Sequence, residues 1–170
     1  MNHLKKQAQI ALLGENYFPP VNSSHMSRRR GDGLNKIISA ILHYQPSVVY
    51  VCPTKGVNIN LIPLLLINNI KIRLVMPSKH FFTNLTSEEK FILEAASCKA
   101  DKIIILSEKK CSPLDWENDW FTASERAVAN SDWVMIVHDK ERENTAFNDL
   151  IMKFEKNPKP VLAVEIGEEE

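Results

Sequence analysis

The sequence predicts an α/β protein built on an open, doubly wound, mostly parallel sheet of about six strands, with helices on both faces. Three observations predict it. Short apolar runs alternate with helical patterns along the whole chain. The strand-like runs are nearly continuous in Ile, Leu and Val, as in strands buried on both faces. No internal repeat or low-complexity linker interrupts the alternation, and 170 residues suit one domain spanning 1–170.

The elements follow in order. Gln9 to Leu13 (QIALL) reads as the first strand, and a polar, proline-containing loop runs from Gly14 to about Asp32. Gly33 to Tyr44 places Leu34, Ile37, Ile38, Ile41 and Leu42 on one helical face, and Pro46 stops that helix. Ser47 to Val51 is the second strand. Val57 to Asn69 is apolar and helical, beginning either at Val57 or near Asn60, where Pro63 falls in the first turn. Lys71 to Val75 is the third strand. Thr86-Ser87-Glu88-Glu89 reads as a helix start, a hydroxyl cap followed by acids, with Phe91, Ile92, Ala95 and Ala96 as the buried stripe. Lys102 to Leu106 is the fourth strand. Asn118 to Asn130 is a helix with Phe121, Ala127 and Val128 inward. Trp133 to Val137 is the fifth strand, Thr145 to Lys156 a helix, and Pro160 to Val164 the sixth strand; the acidic end from Glu165 is expected to fray.

Composition narrows the function classes. Lys+Arg and Asp+Glu are both 21, so the formal charge is zero, which argues against a dedicated nucleic-acid binder. Cys52, Cys98 and Cys111 are widely spaced and form no CxxC pair, so neither a metal site nor a disulfide framework is indicated. The start MNHLKKQAQIALLG has too short an apolar run for a signal segment, and no stretch approaches a membrane span. A cytoplasmic protein is the expectation.

In such sheets ligands bind beyond the carboxyl ends of the strands, where the strand order reverses. The loops so selected are Gly14 to Asp32, Cys52 to Asn58, Pro77 to Thr86, Ser107 to Asn118 and His138 to Thr145. Gly14, Glu15 and Asn16 open the first. Its Arg28-Arg29-Arg30, placed just before a helix N-terminus, suit an anion, or form a solvated charge run. In VCPTKGVN, Thr54, Lys55, Gly56 and Asn58 occupy the position of a phosphate loop, though GxxxxGK[ST] and GxGxxG are both absent. The alternative is a plain turn in which Gly56 permits a tight bend. Trp116 can stack on a base and Arg126 reach an anion; alternatively Trp120 is core and Arg126 solvated. His25, His43, His80 and His138 are scattered and lack motif partners. Cys52, Glu15, Asp139 and Glu141 fall in suitable places, yet nothing fixes a catalytic pair. The catalytic residues and any cofactor are therefore unassigned.

A strand ending in glycine, then VCPTKGVNINLIPLLLINN, then IRLVMP, then DWENDWFTASERAVANSDWVMIVHD together resemble the SLOG superfamily. That Rossmann-like group includes the DNA-processing protein DprA, the LOG phosphoribohydrolases and the YpsA-like proteins. The likeness is to the YpsA-like branch and covers about residues 8–165. It implies a Rossmann-like fold and a nucleotide-like ligand held by Gly14, Glu15, Asn16, Thr54, Lys55, Gly56, Asn58, Trp116 and Arg126. Departures are specific. Only Gly56 remains of a Gly-rich turn, and the PGGxGTxxE stretch of LOG enzymes is replaced by HDKERENT. The usual basic pair before Ser-Asp falls at Ala123-Ser124. Phosphoribohydrolase activity is therefore not expected. Three functions compete: a module binding a nucleotide or nucleotide-derived ligand, an N-glycosidic-bond hydrolase using Glu15 or Asp139 to assist water, and a non-catalytic interaction scaffold forming a homodimer.

Overall fold

The computed structural model describes residues 7–15, 24–79, 85–108, 116–139, 145–155 and 159–166, with side chains left out at 24–27, 116, 145–146 and 155. Six strands form one sheet: β1 (Gln9–Gly14), β2 (Val48–Val51), β3 (Ile72–Met76), β4 (Lys102–Ile105), β5 (Trp133–Asp139) and β6 (Val161–Ile166). Their order is β4-β3-β2-β1-β5-β6, and every pairing is parallel. The helices are α1 (Ser24–Tyr44), α2 (Val57–Ile67), α3 (Ser87–Lys99), α4 (Trp116–Asn130) and α5 (Thr145–Glu155). The doubly wound α/β class predicted from sequence is the class observed.

Strand alternation divides the core. Ile10 and Leu12 of β1 join Ile37, Ile41, Leu61, Leu65, Leu93 and Val137 on one face. Ala11 and Leu13 join Trp120, Ala123, Ala127, Phe147 and Leu150 on the other. Right-handed crossovers explain the segregation. From β1 the chain steps outward to β4 with α1, α2 and α3 on one face. It then returns through α4, which lies over β1, β2 and β3, to place β5 on the far side of β1. Reversing direction moves α4 and α5 to the opposite face.

Several boundaries differ from expectation. Helix α1 begins at Ser24, so Arg28, Arg29 and Arg30 lie inside it and not in a loop before it. Gly31 and Gly33 each disfavour helix by about 1 kcal/mol relative to alanine, which is why the sequence reads as loop there. Tertiary contacts of Arg29 and Arg30 override that preference. Of the two starts expected for helix α2, the one at Val57 is observed; Pro63 therefore lies in its interior and leaves the Ile59 carbonyl without its helical donor. Phe91 is 71% exposed, and Leu93 and Ala96 form the buried stripe of α3. Strand β5 runs two residues further than expected, through His138 to Asp139. Strands β4 and β6 are edges and are only half covered.

Candidate functional site

The strand order reverses between β1 and β5, so the crevice lies beyond their carboxyl ends. Gly14 closes β1 there. A side chain at this position would start 2.5 Å from Asn58 Oδ1 and 2.6 Å from Val57 Cβ, so only glycine lets α2 approach. The Gly14 N–H donates to Asn58 Oδ1 at 2.9 Å. The same amide donates through Nδ2 to the Cys52 carbonyl at 2.9 Å and toward Thr54 Oγ1 at 3.4 Å. Asn58 therefore joins the end of β1 to the turn leaving β2.

That turn is real and glycine-dependent. Gly56 has φ 102° and ψ −137°, a region closed to residues with a Cβ, and stands at the N-cap of α2. The first donors of α2 meet protein carbonyls: Val57 N–H donates to Glu15 O at 2.9 Å and Ile59 N–H to Thr54 O at 3.2 Å. Lys55 is exposed and makes no ion pair or hydrogen bond among the described residues.

The opposite wall comes from β5. The Glu15 N–H donates to Val137 O at 3.0 Å, continuing the β1–β5 ladder one residue beyond Gly14. Glu15 Oε2 accepts the Asp139 N–H at 2.7 Å. Asp139 Oδ2 in turn receives Arg29 Nη2 from α1 at 2.7 Å. The next residue on α1 reaches the other wall: Arg30 Nη2 donates to Asn60 Oδ1, and Asn60 Nδ2 donates to Gly56 O at 2.7 Å. Burial pulls the Arg30 guanidinium below its ordinary value, and Glu88 and Glu89 act in the opposite sense.

The structure thus brings together Gly14, Glu15, Thr54, Gly56 and Asn58, and adds Asp139, Arg29, Arg30 and Asn60. Arg29 and Arg30 were expected in a loop ahead of a helix, facing an anion; they lie inside α1 and hold Asp139 and Asn60 instead. Arg126 is exposed on α4, off the face formed by Trp120, Ala123, Ser124, Ala127 and Val128, and makes no hydrogen bond or ion pair among the described residues. Trp120 is fully buried and stacks on Phe147 at 6.1 Å. Asn16, His80, Cys111, Glu141 and the side chains of His25 and Trp116 lie outside the described residues. Among those described, no group of three or more His, Cys, Asp or Glu residues is placed to hold a metal ion, and no helix is long and apolar enough to cross a membrane.

Fold and crevice define the class: an all-parallel, doubly wound α/β protein whose buried polar residues meet at the reversal of strand order. No protein-family profile matches the chain, and no curated protein matches it. Among solved structures it is similar to DNA processing protein A (DprA) from Streptococcus pneumoniae, at 10% sequence identity and a TM-score of 0.47. The match covers 92% of this chain and 59% of that one, so this chain spans about 59% of that protein's length.

Proposed function

We propose that the protein binds a nucleotide or nucleotide-derived ligand at the β1–β5 crevice, in the manner of a SLOG-like domain, without LOG-type phosphoribohydrolase activity. The observation that carries the reading is the convergence of buried polar groups, Glu15, Thr54, Asn58 and Asp139, at the one place where this topology favours a ligand. In this reading the exposed Lys55 at the rim meets phosphate, with Thr54 and Gly56 beside it. Glu15 and Asp139 supply acceptors suited to ligand hydroxyls. The alternative of an N-glycosidic hydrolase is disfavoured by the sequence, where HDKERENT stands in place of the PGGxGTxxE stretch of LOG enzymes.

The test is a thermal-shift panel of AMP, ADP, ATP, GMP, NAD, ADP-ribose, cyclic nucleotides and ribose 5-phosphate. A ligand at a hundred times its dissociation constant adds about 2.7 kcal/mol, a shift of several degrees. The expected result is a shift with at least one compound that Lys55→Ala abolishes. Release of free base would restore the hydrolase reading, and no shift with any compound would remove the binding one. A second reading, an interaction scaffold forming a homodimer, is favoured by Ile103 and Ile105, which are exposed on the open edge strand β4.

A further inference from the structure

The described polar residues of the crevice are buried. Glu15 is 1% exposed, Asn58 1%, Asp139 2% and Thr54 6%. The N-terminal half of α1 bridges it. Consecutive helical residues leave the axis about 100° apart, and Arg29 and Arg30 use that divergence to grip opposite walls. Arg29 holds Asp139 at the end of β5, and Arg30 holds Asn60 in the first turn of α2.

The two halves of α1 are secured differently. The C-terminal half buries Ile37, Ile38 and Ile41 in the core. Arg28 and Asp32 are exposed, Arg29 and Arg30 are half-buried, and the first buried residue of the described part of α1 is Gly33. Between the halves stands Gly31, where an added Cβ would meet nothing within 4 Å. Packing therefore does not demand glycine there, and an interior glycine weakens the helix at that point.

We propose that residues 24–31 of α1 form a strap that opens at Gly31 and exposes Glu15 and Asp139 when Arg29 and Arg30 release their two walls. That the opening admits a ligand rests on the function proposed above; the opening itself does not. An anion arriving at the crevice would compete for the two guanidinium groups and so favour the open form.

Amide hydrogen exchange on the full chain, read residue by residue by NMR, tests the strap without any ligand. The Asp139 N–H, which donates to Glu15, reports the crevice itself. Amides 28–33 and that of Asp139 should exchange faster than amides 37–41. The double variant Arg29→Gln, Arg30→Gln should speed both sets about a hundredfold, the scale set by losing two charge-assisted hydrogen bonds. Gly31→Ala, which fits the available space, should slow amides 28–33 about fivefold and leave 37–41 unchanged. An Asp139 amide unmoved by the double variant would mean simple fraying of a helix end and overturn the proposal. So would equal exchange across 28–33 and 37–41, which makes α1 a single unit. The nucleotide panel can fail while these results stand, and the reverse is equally possible.

Discussion

Asn58 shows how much a single side chain can determine. Its oxygen takes the Gly14 N–H and its nitrogen serves the Cys52 carbonyl, both in the interior. Replacing it by leucine keeps the volume and strands both partners. Each buried polar group left unpaired costs about 1–3 kcal/mol, so Asn58→Leu should lose about 2 kcal/mol or more. Urea titration checks this: the midpoint should fall with the slope unchanged. A loss under about 0.5 kcal/mol, the usual size for an uninvolved surface site, would mean water replaces the amide. Gly14→Ala attacks the same junction by overlap, since the new Cβ meets Asn58 Oδ1 at 2.5 Å and Val57 Cβ at 2.6 Å. Overpacking of this kind costs about 1–3 kcal/mol. The residues of this junction were legible in the sequence because Gly14 ends an apolar run and Asn58 follows a glycine turn. What the amide of Asn58 does was not, because its partners belong to a neighbouring strand that the sequence does not identify.

Element starts signalled within a few residues were legible, and so were the strands as apolar runs; boundaries and faces set by distant contacts were harder to read. Thr86 and Glu89 form a reciprocal capping box, Glu89 N–H to Thr86 Oγ1 at 3.2 Å and Thr86 N–H to Glu89 Oε2 at 2.7 Å. Everything needed lies within four residues, so the start of α3 was visible. Thr86→Ala should cost about 1 kcal/mol, measured by thermal or urea unfolding, and an unchanged midpoint would show that Glu88 and Glu89 sustain the helix without the cap. The face of α3 was harder to read, because apolar residues occur all around it. Packing on α2 and the sheet selects Leu93 and Ala96 and leaves Phe91 outside. The contrast is measurable: Leu93→Ala should cost about 2–5 kcal/mol, whereas Phe91→Ser should stay within about 0.5 kcal/mol. Similar losses at both sites would place Phe91 against a partner. The start of α1 was hidden for the complementary reason. Gly31 and Gly33 oppose the helix locally, and the arginines that hold it act through Asp139 and Asn60, far along the chain.

For the whole molecule, alternation of strand and helix revealed a parallel doubly wound sheet but not the strand order. Each parallel pair is joined through a helix, and the same alternation is compatible with several orders. The order fixes which strands are edges, and so which apolar runs remain half uncovered. β4 was read as fully buried because Lys102–Leu106 is unbroken in isoleucine; as an edge, it leaves Ile103 40% and Ile105 45% exposed. An open edge presents unpaired backbone donors and acceptors beside those side chains, a template for another strand unless charge or proline blocks it. Here Lys102 is the one charged residue in β4, at its start. If the homodimer proposed above uses this edge, sedimentation velocity over a hundredfold range of concentration should show the mass rising toward twice 19.4 kDa. Ile105→Lys puts a charge in the middle of the uncovered edge and should return the protein to a single species of monomer mass. Because Ile105 is already half exposed, the fold should lose little, and an unchanged urea midpoint would confirm that the variant acts on association alone. A wild-type chain that stays monomeric throughout that range would exclude the edge as a homodimer interface. Association that survives Ile105→Lys would move the interface elsewhere, to other exposed apolar side chains such as Ile67 at the end of α2 or Phe91 on α3.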